Sequence, residues 1–127
     1  MAMKELRKNG MMSHLSDALE SGKDIGHYGR LVFAMIGRHF LSEEELVRWL
    51  TKNPKFDEVQ ARALVEQVQA RDYNPPKPQR IRQWQEEQEF PICPTSDPDA
   101  CNVYKDLQFP EGVYEHIQEY YQAKAEK

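Results

Sequence analysis

Apolar residues in this chain recur every three to four positions, and that spacing constrains the possible fold more than any other feature. The clearest case lies between Asp57 and Pro75, where the apolar positions follow the i, i+3, i+4, i+7 pattern of a one-sided helix: Ala61, Leu64, Val65 and Val68. No segment shows the sustained alternation of apolar and polar residues that marks a half-buried strand. The sequence therefore predicts a mainly helical protein, with one helix from about Asp57 to a point before Pro75.

Two more helices are predicted upstream. The residues from His27 to His39 carry apolar side chains around most of a helical circumference, which is typical of a helix at the centre of a core. Ser42 followed by Glu45 is a capping-box pattern, in which each side chain bonds the backbone amide of the other residue. We expect this pattern to open a helix that ends by Pro54.

The second half of the chain is less regular. Three prolines at positions 75, 76 and 78 predict a stiff connector, followed by a short helix over residues 79–89. Residues 90–110 are rich in proline and aspartate and predict an irregular loop, and a last helix is predicted over residues 111–123. We expect a single domain, residues 1–127, folded as a compact bundle of about five to six helices whose helical core is residues 10–89.

The composition excludes several classes of protein. A chain of 127 residues, 39% of them hydrophobic, can form one core and is too short for two ordinary domains. No apolar run approaches the roughly 20 residues that span a bilayer, and residues 1–10 are not followed by the apolar stretch of a signal peptide. We therefore expect a soluble, cytoplasmic protein with no membrane partner.

Charge is distributed unevenly along the chain. Residues 1–83 carry 14 lysines and arginines against 11 acidic residues, a net charge of +3, whereas residues 84–127 carry 3 against 10, a net charge of −7. This asymmetry is compatible with a nucleic-acid face on the first part and an acidic tail turned elsewhere. Ordinary surface charge is the alternative interpretation.

A basic stripe on the helix that begins near His27 is the first feature that suggests binding. At about 100° per residue, one narrow face collects four positions: His27, Arg30, Ala34 and Arg38. A small residue between two arginines leaves room for an anion, and the amides of Gly26 and His27 at the helix start would add donors. Phosphate is the natural ligand of such a face. The alternative is a solvated polar face on a core helix.

Neither a metal site nor a catalytic centre is indicated. The histidines have no zinc-ligand spacing, and two cysteines are too few for a closed four-ligand site. Cys93 and Cys101 have no sequence neighbour that would make either one a nucleophile, and no catalytic triad, phosphate loop or magnesium-binding carboxylate pair stands out. We expect two buried free thiols, no metal and no enzymatic activity of the chain's own.

Several short motifs occur in one consistent order along the chain: His27-Tyr28-Gly29-Arg30, Leu41-Ser42-Glu43-Glu44, Phe56-Asp57, Asp72-Tyr73-Asn74-Pro75 and Cys93-Pro94. Their order and spacing over residues 11–121 resemble the C-terminal domain of the archaeal and eukaryotic DNA primase large subunit. The resemblance implies a helical domain that helps a catalytic subunit to begin a primer.

The resemblance also implies roles for individual residues. Three positions match those that contact the triphosphate of the initiating nucleotide: His27, Arg30 and Arg38. Arg62 matches a basic position on a helix that faces the single-stranded DNA template. The family's tyrosine and histidine on that helix are replaced here by Ala63 and Gln67, which argues against base stacking at those two positions.

In that family four cysteines hold an iron-sulfur cluster, and here only two of the four positions are cysteine. Cys93 and Cys101 match the third and fourth ligands, and Pro78 falls at the second. The first falls near Met11, or on His14 if the alignment shifts. Proline cannot bind iron, and two thiolates are too few for a cluster. The resemblance therefore implies a cluster-free variant without cofactor, similar to a small separate primase subunit of some archaea, in which packing replaces the cluster.

These observations lead to one main hypothesis and two alternatives. In the main hypothesis the domain binds the 5′ triphosphate of a ribonucleotide or deoxyribonucleotide, or of the nascent primer, together with template DNA. A catalytic primase subunit or primase-polymerase then supplies the chemistry. The alternatives are a protein-interaction subunit that tethers primase to other replication proteins, and a general single-stranded DNA binder.

Overall fold

The structure, a computed structural model, describes residues 2–113, and in this part of the chain the prediction of a mainly helical protein is confirmed. Its helices are, in order, α1 (Ala2–Leu6), α2 (Gly10–Glu20), α3 (Gly26–Gly37), α4 (Glu43–Leu50), α5 (Glu58–Ala70), α6 (Pro78–Gln85), a 3₁₀ helix (Pro98–Cys101) and α7 (Val103–Asp106). Helices α2 to α6 each have eight residues or more, and these five agree with the predicted five to six. Residues 2–113 contain no strand.

Side-chain caps define where several of these helices begin. Ser42 and Glu45 form the predicted capping box at the start of α4. Asp57 and Gln60 form a second capping box at the start of α5, which confirms the predicted start near Asp57. Each cap satisfies amide donors that a helix leaves unpaired in its first turn. The local sequence therefore sets the starts of both helices.

Helix α3 lies at the centre of the core, as its apolar pattern predicted. Val32, Phe33 and Ile36 have no exposed surface, and the helix contacts α2, α4, α5 and α6. At Gly37 an added Cβ atom would lie 3.0 Å from Cδ1 of Leu46, so α4 packs closely against the end of α3. Burying one large apolar side chain contributes about 1.5–3 kcal/mol. This central helix therefore supplies much of the stabilising free energy.

The helix predicted over residues 79–89 has different bounds. It begins at Pro78, because proline lacks an amide hydrogen and its fixed φ suits the first helical position. It ends at Gln85, with Glu86 as the C-cap residue. Glu86, Glu87 and Glu89 follow in quick succession, and negative charge is unfavourable at the C-terminal end of a helix dipole.

The prediction of an irregular loop over residues 90–110 is wrong in part, because this segment contains the 3₁₀ helix and α7. Side-chain oxygens of Asp97 and Asn102 cap these two short helices. Helix α1 was not predicted either. Helices of four or five residues are too short to show a hydrophobic period. Residues 111–113 are helical as predicted, whereas the rest of the helix predicted over 111–123 lies outside the described residues.

Among the helices described here, none combines the length and the apolar character required to cross a bilayer.

Candidate functional site

The basic stripe begins where Asp24 meets the N-terminal end of α3. One carboxylate oxygen of Asp24 accepts hydrogen bonds from the amide of Gly26 and from Nη1 of Arg30, both at 2.9 Å. The Gly26 amide first, and then the Arg30 guanidinium, lower the pKa of the Asp24 carboxyl group. An anionic group therefore already occupies the helix terminus, as the helix dipole favours.

Arg30 is held in place from two directions. Its guanidinium carbon lies 4.4 Å from the ring centroid of Phe56, a cation–π distance. On the other side it makes the 2.9 Å ion pair with Asp24, and only 17% of the arginine side chain is exposed against 63% of the aspartate. The guanidinium is thus fixed by an aromatic ring and faces a carboxylate that solvent can reach.

Arg38 follows the last residue of α3 and has a similar arrangement. Its Nη2 donates to Oδ1 of Asp72 at 2.7 Å and to the carbonyl of Tyr73 at 2.9 Å. The side chain of Arg38 is 12% exposed, whereas that of Asp72 is 70% exposed. Among the residues that the structure describes, the buried Nε of Arg38 has no hydrogen-bond partner. An exposed carboxylate again faces a largely buried guanidinium.

Asp72 has an uncommon backbone conformation. Its φ of 49° lies in the left-handed region, at the position after the C-cap residue of α5. The amide of Tyr73 donates to the carbonyl of Val68 across this turn, which is the bond that closes a Schellman motif. Glycine usually takes this position, and aspartate is among the few other residues that tolerate it. The turn directs the carboxylate of Asp72 to Arg38.

Two details of the predicted anion site are wrong. Ala34 is fully buried, so protein atoms fill the space above its methyl group. At the start of α3 the amide of Gly26, one of the two predicted donors, already donates to Asp24, and the amide of Tyr28 donates to Oε1 of Gln88 at 2.9 Å. His27 is exposed, with its ring 5.2 Å from that of Tyr28. The basic residues are where the stripe predicted, but each arginine already has a carboxylate partner.

Arg62 lies on α5 in a different environment. Its two terminal nitrogens bind the two carboxylate oxygens of Glu44, each at 3.0 Å, and Nη2 is 3.5 Å from Glu58. The bidentate bond to Glu44 is the main cause of a raised pKa of Arg62. The residue thus links α4 to α5. Its template-binding role stays a prediction.

The positions matched to cluster ligands come close together. The pKa of the Cys93 thiol is raised by a hydrogen bond with the Cys101 thiol and by burial, and Sγ of Cys101 lies 4.0 Å from the carbonyl oxygen of Pro78. Met11 is fully buried on α2, which contacts the 3₁₀ helix that ends in Cys101. The cysteines are 5% and 0% exposed and are not joined by a disulfide.

Hydrogen bonds fix the segments that carry these four positions. The buried Asn9 caps α2 through Oδ1 and donates through Nδ2 to the carbonyl of Asn102 and to Asp106. On the other side, the amide of Cys93 donates to Gln85 of α6. His14, the other candidate for the first ligand, bonds the carbonyl of Pro91 through Nε2 and stacks on Phe90.

This corner does not fit an iron-sulfur cluster. Its four positions supply two thiols, one buried thioether and one proline, and a cluster needs four thiolates. Residues 2–113 also contain no group of three or more histidine, cysteine or acidic side chains placed to hold a metal ion.

A second feature, which the sequence did not point to, is an open groove between α3, α6 and the proline connector. Its volume is about 720 Å³. The residues that characterise it are Leu31, Met35, Tyr73, Lys77, Arg80 and Trp84. Arg80 and Trp84 are four residues apart on α6 and so lie on one face. The spacing of Arg80 and Trp84 indicates from the sequence that these two side chains share a face of α6. Only the fold shows that Leu31 and Met35 of α3 line the same groove.

Comparison with known proteins found no match among protein-family models, curated proteins or solved structures.

Proposed function

We propose that this chain is a non-catalytic accessory domain of a DNA primase. It binds the 5′ triphosphate of the initiating nucleotide or nascent primer, together with template, and a partner active site joins the nucleotides. The observation that carries the proposal is the convergence of separate segments on the corner of Pro78, Cys93 and Cys101, where the 3₁₀ helix that ends in Cys101 contacts α2, the helix of the buried Met11. The resemblance to the primase large-subunit domain requires this convergence of residues far apart in the sequence.

Arg30 on α3 and Arg38 at its C-terminal end support triphosphate binding. Arg30 and Arg38 each face an exposed carboxylate, although the guanidinium side of each pair is only 17% and 12% exposed. A charge-assisted hydrogen bond to phosphate contributes about 1.5–3 kcal/mol. Several oxygens of a triphosphate can therefore compete with the single carboxylates of Asp24 and Asp72, which a ligand can reach.

Three further features support the same function. His27 is exposed on the same face of α3 and can add a ring N–H donor to a phosphate. Phe56 holds the guanidinium of Arg30, which lowers the conformational entropy lost on binding. The corner of Pro78, Cys93 and Cys101 contributes structure alone, because its thiols are buried and face each other.

Binding measurements with two forms of one oligonucleotide test the proposal. The wild-type chain should bind the form with a 5′ triphosphate more tightly than the form with a 5′ hydroxyl. Arg30→Ala with Arg38→Ala should remove this preference, whereas the matched control Lys4→Ala with Arg48→Ala, on α1 and α4, should keep it. Equal affinity of the wild-type chain for both forms would refute triphosphate binding.

A primer-synthesis assay with the catalytic partner tests the cellular role. The double arginine variant should abolish initiation without a primer and spare extension of a preformed primer. A parallel loss of both activities would show that the variant disrupts the assembly rather than the initiation step.

A protein-tethering subunit is the second candidate. The observation that favours it is that Arg30, Arg38 and Arg62 all have carboxylate partners within the chain. A wild-type chain without preference for the triphosphate form, bound stably to a primase partner, would select this candidate.

A further inference from the structure

We infer that the groove between α3, α6 and the proline connector is a binding site for a single strand of nucleic acid. The inference deepens the proposed function, on which it rests for the identity of the strand. Its own evidence is the shape, aromatic content and charge of the groove, none of which involves Arg30 or His27.

The walls of the groove are built from three rigid parts. Leu31 and Met35 of α3 provide an apolar surface. The connector supplies the buried pair Pro75 and Pro76, and the Tyr104 hydroxyl donates to the carbonyl of Pro75. Because proline restricts φ, the connector holds its shape without a bound ligand. The site is therefore preformed.

Aromatic side chains give the groove surfaces on which bases can stack. Trp84 lines it, and Tyr28 stacks on Trp84 with ring centroids 5.5 Å apart and an angle of 15° between the planes. Tyr73 lines the same groove from the connector. Stacking of a base on such rings tolerates every base, because each base has a π-face. The groove is thus suited to a strand of any sequence.

Charge distinguishes nucleic acid from other occupants. The charged residues that line the groove, Lys77 and Arg80, are both basic, although the whole chain has a net charge of −4. The guanidinium carbon of Arg80 lies 6.0 Å from the ring centroid of Trp84. Cations beside aromatic rings match the alternation of phosphates and bases along a strand. A neutral proline-rich peptide would use the rings and would bring no negative charge to Lys77 and Arg80.

The groove adjoins the proposed phosphate site at one residue. Tyr73 lines the groove, and its carbonyl accepts the hydrogen bond from Arg38. A strand in the groove therefore lies beside the residue proposed to bind the triphosphate. A volume of about 720 Å³ falls within the usual range for ligand sites, and it suffices for a short stretch of strand.

Intrinsic fluorescence can report occupancy directly. The chain contains two tryptophans, and Trp49 lies elsewhere, between Arg7 and Lys52. In a full-length Trp49→Phe protein, Trp84 is the single reporter. We expect a short oligothymidylate with a 5′ hydroxyl to quench its emission saturably. This measurement requires no change to the groove.

Charge removal tests the assignment of the cations. Lys77→Gln with Arg80→Gln should weaken oligothymidylate binding roughly tenfold and reduce the slope of log affinity against log salt by about 1.4, the value for two phosphate contacts on a single strand. The matched control Lys4→Gln with Arg48→Gln removes the same charge away from the groove and should bind like the wild type. Equal weakening in the two double variants would overturn the inference, because the loss of affinity would then depend on the net charge of the chain and not on the groove.

The two proposals fail in different ways. If the Lys77 and Arg80 variant binds like the wild type, or if Trp84 responds to an acidic or proline-rich peptide and not to the oligonucleotide, the groove inference is wrong. Arg30→Ala with Arg38→Ala should lose only the extra affinity for a 5′ triphosphate and keep the quenching by the hydroxyl form. A wild-type chain that binds the hydroxyl form in the groove but has no preference for a 5′ triphosphate would refute the proposed function. The groove assignment would stay intact.

Discussion

Two regions that the sequence resemblance assigns to different roles differ sharply in their physical character. We call the first the packed corner, formed by Met11, Pro78, Cys93 and Cys101, and the second the basic face, formed by His27, Arg30 and Arg38. Met11 and Cys101 in the packed corner have no exposed surface. On the basic face, His27 is exposed and the two arginines face exposed carboxylates. The packed corner can thus contribute stability, whereas the basic face can exchange its partners for a ligand.

The largest expected effect is on the packed corner. Met11→Ala removes a fully buried side chain and should lower the free energy of unfolding by about 2–5 kcal/mol, because a cavity remains. Urea unfolding measures the loss. Val59→Ala on α5, where the valine is 78% exposed, is the control and should change stability by less than about 0.5 kcal/mol. Similar losses in both variants would mean that the corner is not a core.

Asn9 tests the hydrogen bonds that fix the same corner. Asn9→Ala removes the cap of α2 and both bonds to the segment that follows Cys101, and should cost about 2 kcal/mol. Asn9→Asp keeps the capping oxygen but places a buried carboxylate against Asp106 and the carbonyl of Asn102, so it should destabilise at least as much as alanine. Affinity for a triphosphate end should stay unchanged in both. A changed affinity with unchanged stability would contradict the separation of the two regions.

His39, next to Arg38, should make stability depend on pH. Burial, followed by the charge of Arg38, lowers the pKa of His39 from 6.5 to about 4. Protonation then favours the unfolded chain, so stability is highest above pH 6.5 and falls as the pH decreases towards 4. Because the ring is only half-buried, we expect a loss of about 1–2 kcal/mol. His39→Phe, which keeps a ring against Phe109, should remove this component of the pH dependence of thermal unfolding. An identical pH profile for both proteins would exclude His39 as its source.

The smallest effect is expected at Asp72. Asp72→Asn keeps a residue that tolerates the positive φ and removes the carboxylate that binds Arg38. Affinity for a 5′ triphosphate should rise several-fold, because a competing ion pair with one exposed partner contributes on the order of 1 kcal/mol. Glu44→Gln, which removes the partner of Arg62 instead, is the control and should leave this affinity unchanged. Weaker binding by Asp72→Asn would mean that Asp72 holds Arg38 in its binding position.

Local chemistry accounts for the parts of the fold that could be predicted. The apolar period of α5, the central position of α3 and the Ser42 capping box each depend on residues within a few positions of one another. The predicted end of α6 was wrong. The 3₁₀ helix and α7 were missed, because four residues are too few to show a hydrophobic period. For the candidate site, the sequence predicted which basic residues share the surface of α3.

The sequence by itself determined a helical protein with a central apolar helix, because helical periodicity and caps are local properties of the chain. Tertiary structure alone decided the partners of those residues. The pairs Arg38 and Asp72, Cys101 and Pro78, and Asn9 and Asp106 join residues 34, 23 and 97 positions apart. The same holds for the groove, whose walls come from α3, the connector and α6. Contacts of this kind depend on how helices pack around the core, and no local pattern encodes that packing.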